Sequence, residues 1–287
     1  MKNDMSLQQK LKEFQLAKEA LLATNFYNFE TLKGVLTAAS AEKQPVILQL
    51  TRSSIEYMGL QVAVELASAM LQFYKVEGWI HLDHGDSYEL AASCLDAGFN
   101  SVMIDASEKP FDENVRITKR VVKLAERYGA NVEAELGYVA KLGQKTGRIG
   151  FTEPSEAKLF VEETGVNALA VAIGSAHGFY KVEPKLDIER LSEINYITDA
   201  ALVLHGASGI PHQALKEAIQ HGICKINLAT EIKNIFMKTL KNKLAMEDEI
   251  DLRKVFPPAT EAVTNLVKEK LRAIRSGNYK QNNNTVI

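Results

Sequence analysis

Residues 80–85 have the sequence IHLDHG, an apolar segment that ends in a histidine and a glycine. Residues 173–178 (IGSAHG) and 202–206 (LVLHG) repeat this arrangement. The apolar residues predict the end of a buried strand, and the glycine allows the backbone to turn sharply. Histidines at strand ends lie where α/β proteins bind their ligands. Three imidazoles can hold a zinc ion and leave a fourth position for substrate, so the repetition indicates a zinc site.

The chain has six histidines, and three of them need no metal. His212 and His221 fall in a predicted helix and at its end. His81 lies two residues before Asp83 and shares its strand face, so we expect it to be packed or hydrogen-bonded. A single histidine at a strand end is more often a structural residue, and only the repetition favours a metal centre. The candidate ligands are the remaining three, His84, His177 and His205.

Eight short apolar segments alternate with amphipathic helical segments such as Glu113–Tyr128. Eight strands separated by helices predict a parallel sheet, and the count favours a closed (β/α)8 TIM barrel over an open doubly wound sheet. The predicted strands are Leu22–Asn25, Val46–Leu50, Trp79–Leu82, Ser101–Ile104, Asn131–Glu135, Ala168–Ile173, Ala201–Leu204 and Cys224–Asn227.

Both ends of the chain predict additional helices. Leu7–Ala23 has the pattern of an amphipathic helix that closes the bottom of the barrel, and Glu231–Met246 follows the eighth strand. A break at Pro257-Pro258 precedes a last helix, Glu261–Arg275. Since no linker divides the chain, we expect residues 1–287 to form a single domain.

Composition excludes several classes of protein. The 287 residues include 34 basic and 36 acidic side chains, which argues against a nucleic-acid partner. The sequence contains no apolar stretch of 18 residues and no signal-peptide core at its start, so we expect neither a membrane span nor secretion. Cys94 and Cys224 lie far apart in the sequence, which favours reduced thiols in the cytoplasm.

Polar residues cluster at the predicted strand ends. Asp83, Asp105 and Asn227 end strands three, four and eight, and on a barrel these ends face one rim, where barrel active sites form. Glu133 and Glu135 lie in strand five with the same parity, so both side chains point to the same side. Two carboxylates in an apolar strand are costly unless a metal or hydrogen-bond donors pair with them.

Six motifs occur in an order that resembles the class II, zinc-dependent ketose-bisphosphate aldolases, a family that includes the fructose- and tagatose-bisphosphate enzymes. The resemblance extends from about Thr24 to Arg275. The motifs are HLDHG (81–85), VMIDAS (102–107), VEAELG (132–137), GSAHG (174–178), LVLHGASGIP (202–211) and KINLATE (225–231).

The resemblance implies reversible retro-aldol cleavage of a ketose phosphate to dihydroxyacetone phosphate and an aldehyde such as glyceraldehyde 3-phosphate. It implies that the three histidines bind the catalytic zinc, which stabilises the enediolate as a Lewis acid. Asp105 and Glu135 match positions that hold a second or displaced zinc in some relatives. Asp83 matches the acid/base that takes the proton of the C4 hydroxyl.

The resemblance also implies a phosphate site beside a monovalent cation (Na⁺ or K⁺), and a homodimer or homotetramer. Asn25 and Thr51 match positions near the far end of the sugar. Arg253 matches an arginine that in relatives reaches across a subunit interface to the distal phosphate. Small residues whose backbone N–H groups and hydroxyls can surround a phosphate are present at the matching positions. They are Gly178, Gly206, Ala207, Ser208, Asn227, Leu228, Ala229 and Thr230.

The chain departs from the family after Gly137. Relatives usually have a Gly-Gly-x-Glu-Asp loop whose glutamate exchanges a proton on the carbon that becomes the enediolate, whereas residues 138–148 (YVAKLGQKTGR) contain no acid. Glu153, before Pro154, is more typical of a helix start. Glu153, Tyr138 or a water could move the proton; the three basic residues of the segment could accept an anionic substrate group; or turnover could be low. We favour an active aldolase with altered substrate preference.

Two other classes stay open on the sequence. A zinc hydrolase on this barrel would usually have a His-x-His pair on the first strand, and residues 22–27 contain no histidine. A non-catalytic sugar-phosphate sensor should have lost metal ligands, whereas the three histidines and Asp83 are present. The substrate could be a fructose, tagatose, deoxy or sulfo sugar phosphate.

Overall fold

The computed structural model describes residues 5–137, 139, 150–180 and 184–275. Within them eight parallel strands, each hydrogen-bonded to its sequence neighbours, close a barrel in the order β1 to β8. The predicted TIM barrel is confirmed and the doubly wound alternative is wrong. The strands are β1 (Leu21–Asn25), β2 (Val46–Leu50), β3 (Gly78–Gly85), β4 (Ser101–Ile104), β5 (Asn131–Leu136), β6 (Ala168–Val171), β7 (Ala201–Leu204) and β8 (Ile223–Leu228).

Helices connect the strands and cover the outside of the barrel. Most lie between consecutive strands, as the right-handed crossover of a parallel sheet requires. The α-helices are α1 (Leu7–Ala17), α2 (Phe29–Glu42), α3 (Arg52–Met58), α4 (Leu60–Tyr74), α5 (Tyr88–Asp96), α6 (Phe111–Ala125), α7 (Pro154–Thr164), α8 (Ile188–Ile197), α9 (His212–Gln220), α10 (Thr230–Met246), α11 (Leu252–Val255) and α12 (Pro257–Ile274). A 3₁₀ turn, Glu126–Tyr128, extends α6.

Helix α1 closes the N-terminal end of the barrel, as predicted, but it is shorter than predicted. Leu7, Leu11 and Phe14 pack against apolar side chains inside the strands. The helix ends at Ala17 rather than Ala23, because Lys18 adopts a left-handed conformation (φ 53) and its N–H donates to the last turn. Lysine in this cap conformation gives no sequence signal comparable to glycine.

The C-terminal helix begins earlier than predicted. The helix α12 starts at Pro257 rather than Glu261, since a proline in the first turn loses no hydrogen bond that the helix would otherwise form. It packs closely on α2, where a Cβ at Gly34 would lie 2.8 Å from Val263 Cγ1. Strand β6 ends at Val171 rather than Ile173.

Two further expectations from composition can be compared with the structure. Among the residues described, no helix has the length and apolar character to cross a bilayer. Cys94 and Cys224 are buried and form no disulfide.

Candidate metal centre

The end of β3 is irregular and aims two consecutive side chains at one site. The register with β4 shifts between Leu82 and Gly85, which marks a β-bulge. His84 lies in the bulge with a left-handed backbone (φ 50), a conformation uncommon for residues with a Cβ. Consecutive strand residues normally point to opposite faces, and bulges re-aim side chains. Asp83 and His84 can therefore serve the same centre.

The three candidate histidines converge at the C-terminal end of the barrel. The ring centroid of His84 lies 4.8 Å from that of His205 and 5.0 Å from that of His177. One ring nitrogen from each of the three lies within 4.8 Å of the others. Strands β3 and β7 and the segment after β6 thus bring together three residues that are up to 121 positions apart.

Carboxylates hold the outward-facing nitrogens of two of these rings. His84 Nδ1 lies 2.7 Å from Asp105 Oδ2, and His205 Nε2 lies 2.8 Å from Glu133 Oε1. A carboxylate accepts, so each ring donates its N–H there and leaves a lone pair on its other nitrogen. Those nitrogens, His84 Nε2 and His205 Nδ1, face each other at 3.1 Å. Two lone pairs at this distance repel unless a proton or a metal ion lies between them, and histidines held by carboxylates in this way are usual metal ligands.

A second group of donors adjoins the first. Atoms of His84, Asp105 and Glu135 also lie within 4.8 Å of one another. Glu135 Oε1 accepts from Val139 N–H at 3.4 Å, whereas the buried Oε2 has no hydrogen-bond partner. An unpartnered carboxylate oxygen aimed at this cluster fits the donor set of a divalent cation.

The electrostatics of the cluster also favour a cation. Burial would lower the pKa of His84, but Asp83, Asp105 and Glu135 outweigh it and raise that pKa to about 9. Burial and the neighbouring Asp105 raise the pKa of Glu135 to about 8. The pKa of His205 is lowered by burial. The group as a whole carries excess negative charge, which a metal ion would compensate.

Asp83 is buried and held by amides. Its Oδ2 accepts from Asn25 Nδ2 at 2.9 Å, and Asn227 Nδ2 lies 3.5 Å from its Oδ1. Burial opposes ionisation, but the charges on His84 and His205 and the bond from Asn25 keep the pKa of Asp83 below its usual value. A carboxylate that is ionised at neutral pH beside a metal ligand can accept a proton from a substrate hydroxyl.

The turns that follow β6 and β7 are tied together. A Cβ at Gly206 (φ 66) would lie 2.4 Å from Ala176 O, so only glycine fits there. The hydroxyl of Tyr180 accepts from Ala176 N–H at 2.6 Å and donates to Gly206 O at 2.9 Å. The turn with Gly206 and the segment with Gly178 therefore lie side by side.

The turn after β7 also meets the end of β8. Ser208 Oγ accepts from Glu231 N–H at 3.3 Å, at the first turn of α10, where Thr230 begins the helix. Ala207, Ser208 and Leu228 are buried. These small residues line the same end of the barrel as the histidines.

The remaining candidate residues lie at separate places. Thr51 caps α3, where its side chain accepts from Ser54 N–H. Arg253 is 89% exposed and pairs with Asp251, so it is not part of the buried cluster. Tyr138 and the acid-free segment, apart from Val139, lie outside the described residues.

Glu153 precedes α7 as its N-terminal cap residue, as predicted from the following proline. Its carboxylate lies 3.0 Å from Arg190 Nη1, and the side chain is 59% exposed. An acid held by an arginine near the surface is poorly placed for proton transfer at the buried cluster.

The histidines assigned to structure behave as expected. His81 forms a hydrogen bond with Ser101 Oγ at 2.7 Å. His212 begins α9 and His221 follows its last residue. Glu133 and Glu135 both point into the barrel, and both contact His205.

Sequence reasoning missed two residues beside the cluster. Lys225, in β8, is 1% exposed and lies 2.7 Å from Glu133 Oε2. Ser107 donates from its N–H and its hydroxyl to Asp105 Oδ1. The available signal for Lys225 was a lysine in an apolar strand, two positions before Asn227 and on the same strand face. Ser107 gave no signal beyond its place in the motif VMIDAS.

Comparisons with known proteins agree with this geometry. Residues 5–279 match the family model described as fructose-bisphosphate aldolase class-II. The chain is 40% identical to a fructose-bisphosphate aldolase of Geobacillus stearothermophilus over 280 aligned residues, and the match covers 95% of this chain and 97% of that protein. It is 44% identical to a probable fructose-bisphosphate aldolase of Bacillus subtilis over 262 aligned residues, and the match covers 88% of this chain and 91% of the relative.

A solved structure extends the likeness to three dimensions. The crystal structure of the YdjI aldolase from Escherichia coli K12 superposes with a TM-score of 0.85 at 34% identity, and covers 94% of this chain and 97% of that one.

Proposed function

The chain belongs to the class-II fructose-bisphosphate aldolase family and is a lyase, and from this premise we propose that it cleaves a ketose phosphate with a zinc ion held by His84, His177 and His205. The products are dihydroxyacetone phosphate and an aldehyde such as glyceraldehyde 3-phosphate. We further propose that residues 1–287 act as a single unit.

One observation carries the metal proposal. The facing nitrogens of His84 and His205 are 3.1 Å apart, and each ring is fixed from behind by a carboxylate. A proton or a metal ion has to lie between these two nitrogens, and a metal ion that binds both can replace the proton. Three neutral nitrogen ligands with an open position suit catalytic zinc. Asp105 and Glu135 are the proposed ligands of a second or displaced zinc.

A bound zinc would act as a Lewis acid on the carbonyl and stabilise the enediolate that C–C cleavage leaves behind. Asp83 accepts the proton of the C4 hydroxyl as the bond breaks, and returns it in the reverse reaction. Asn25 holds Oδ2 at 2.9 Å, whereas Oδ1 has the longer contact of 3.5 Å with Asn227, so Oδ1 is the proposed proton acceptor. The proposed contact of Asn25 with the far end of the sugar would have to be made while it keeps this bond.

The phosphate of the triose unit is proposed to lie against the turns after β7 and β8. Gly178, Gly206, Ala207 and Ser208 supply backbone N–H groups from one side, and residues 227–230 supply them from the other. The loops after strands seven and eight form the usual phosphate site of this barrel. A monovalent cation (Na⁺ or K⁺) beside the phosphate is part of the same proposal.

The acid-free segment favours an altered substrate. Since Glu153 is paired with Arg190, it is not the replacement acid in this proposal. General acid–base help is worth about 10²–10⁴ in rate, so zinc-assisted cleavage would be slower without it but would persist. We propose that the basic residues of the segment accept an anionic group of the sugar.

The outer part of the site would need a second copy of the chain. The exposed Arg253 is proposed to reach the distal phosphate of a neighbouring subunit in a homodimer or homotetramer, with Thr51 on the near side. The buried, unpaired Cys94 and Cys224 support a cytoplasmic location.

The test is a coupled assay for dihydroxyacetone phosphate over a panel of phosphorylated, deoxy and sulfonated ketoses. Zinc-loaded protein should release triose phosphate from at least one, and a chelator should abolish the release. If the zinc-loaded protein cleaves none of them, the proposal is wrong.

A further inference from the structure

A buried lysine lies directly beneath the proposed metal centre. Lys225 is 1% exposed, and Glu133 beside it is fully buried. The ammonium lies 2.7 Å from Glu133 Oε2 and donates to Asn227 Oδ1 at 2.9 Å. A buried ion pair is weak support for stability, because desolvation of both charges offsets their attraction. The pair therefore calls for another explanation.

One branch of contacts leads from Lys225 to a histidine. The ammonium holds Oε2 of Glu133, which leaves Oε1 to accept from His205 Nε2–H at 2.8 Å. This bond places the proton on Nε2 and the lone pair on Nδ1, the nitrogen that faces His84. Such outer contacts fix the tautomer and orientation of a ligating histidine.

A second branch leads to the amides around Asp83. An ammonium only donates, so the oxygen of the Asn227 amide must face Lys225 and its nitrogen must face away, 3.1 Å from His205 Nε2 and 3.5 Å from Asp83 Oδ1. The same rule orients Gln49, whose oxygen then accepts from Lys225 Nζ at 3.3 Å and from Asn227 Nδ2 at 3.1 Å.

The orientation of Gln49 passes to a third amide. The Gln49 nitrogen donates to Asn25 Oδ1 at 3.3 Å, which turns the Asn25 nitrogen to Asp83 Oδ2 at 2.9 Å. One cation thus determines which way three amides point. Gln49 is oriented by its other contacts, since its oxygen lies near Asp83 Oδ1 in this arrangement. Without the cation, Asn25 and Asn227 could rotate and present an oxygen to the carboxylate of Asp83.

We propose that Lys225 is the positioning residue of this site: through Glu133 it fixes the tautomer of His205, and through Asn227 and Gln49 it fixes the amide donors that face Asp83. The kinetic part rests on the proposed function. The metal-binding part does not need turnover.

The test compares Lys225→Met with Lys10→Met. Lys10 is a matched control, since it is paired with Glu77 at 3.2 Å at the opposite end of the barrel. Zinc affinity by chelator competition, kcat and KM are measured for both. Lys225→Met should weaken zinc binding by about 10–100-fold and lower kcat by a similar factor, with a smaller change in KM. Lys10→Met should change none of the three by more than about twofold.

The double variant Lys225→Met/Glu133→Gln separates positioning from charge balance. Removing both charges should return the melting temperature towards wild type, while kcat and zinc affinity stay low, because neither the His205 tautomer nor the amides are fixed any longer. If the double variant recovers kcat and zinc affinity, Lys225 only neutralises Glu133 and the proposal is wrong. If the wild type cleaves no ketose phosphate, the proposed function fails. Unchanged zinc affinity in Lys225→Met would then overturn the positioning role separately.

Discussion

Two layers of the barrel interior use the same residue type in opposite ways. Glu133 lies in the inner layer beside Lys225, and Glu135 lies in the rim layer beside Asp105. Burial would raise the pKa of Glu133, but Lys225 and His205 outweigh it and lower that pKa. In the rim layer burial and Asp105 together raise the pKa of Glu135 to about 8.

The difference between the layers follows from their neighbours rather than from their own sequence. Two glutamates two positions apart on one strand face are equivalent in the pattern VEAELG. A lysine on β8 makes the inner carboxylate a permanent anion that supports a histidine. The absence of such a partner at Glu135 Oε2 leaves the rim carboxylate available to a metal ion. The inner layer therefore positions side chains, and the rim layer provides the reacting groups.

The largest effect is expected for the acid/base of the rim layer. Asp83→Asn should lower kcat by about 10²–10⁴, since an amide cannot accept the hydroxyl proton, while the zinc content stays at the wild-type level. Asp86→Asn is the matched control, because Asp86 is 57% exposed and pairs with Arg52. Steady-state kinetics on the best substrate checks both. An Asp83→Asn variant within tenfold of wild type would exclude Asp83 from proton transfer.

The inner layer should show its effect in stability. Glu133→Gln leaves Lys225 buried without its counter-charge, which typically costs about 3–5 kcal/mol at pH 7. The folded-state pKa of Glu133 is lowered, so its contribution is present above the unfolded pKa near 4.5 and is lost as the pH falls through the folded value. Urea unfolding should show a difference in the free energy of unfolding between variant and wild type, and this difference should narrow as the pH falls. A gap that is constant with pH would contradict the assigned charge.

The rim layer should show the reverse pH dependence when metal is removed. The pKa of Glu135 is raised from 4.5 to about 8. In protein stripped of metal by a chelator, the free energy of unfolding should therefore fall progressively as the pH rises from about 5 to 8. Glu135→Gln should then be more stable than wild type at pH 8, by about 2–4 kcal/mol, and equal to it at pH 4. Zinc should remove the advantage. Thermal unfolding with and without chelator tests this, and an equal gap under both conditions would contradict it.

The smallest effect is expected for the bridge between the segment after β6 and the turn after β7. Tyr180→Phe removes the hydroxyl that joins Ala176 N–H and Gly206 O, which should cost about 1–3 kcal/mol and raise KM a few-fold. Tyr196→Phe is the control, because Tyr196 is 89% exposed. Unchanged stability and KM in Tyr180→Phe would show that the two turns hold their places without this bridge.

The fold could be predicted closely where local signals agree. The bounds of β2, β4 and β7 match the prediction because each is a short apolar run between polar turns. The predicted C-terminus of α1 and the predicted N-terminus of α12 were wrong. Lys18 forms the left-handed cap of α1, and Pro257 is the first residue of α12. Neither choice is visible in apolar periodicity.

Only part of the site could be predicted from the sequence. Motifs and strand ends pointed to the histidines and to Asp83, which the structure brings to one end of the barrel. The role of Glu133 and the presence of Lys225 were not foreseen, because parity gives the side of a strand but not the partner across the barrel. The bulge that aims His84 is likewise a property of the pairing with β4.

The central claim is that three strand ends form one zinc site. Elemental analysis of the purified wild type and of His84→Ala, each dialysed against zinc and then buffer, tests it most directly. The wild type should retain about one tightly bound zinc per chain, with a second, weaker equivalent at most, and His84→Ala should retain less than about a tenth of that. A wild type without bound zinc, or a His84→Ala variant with the full amount, would contradict the claim.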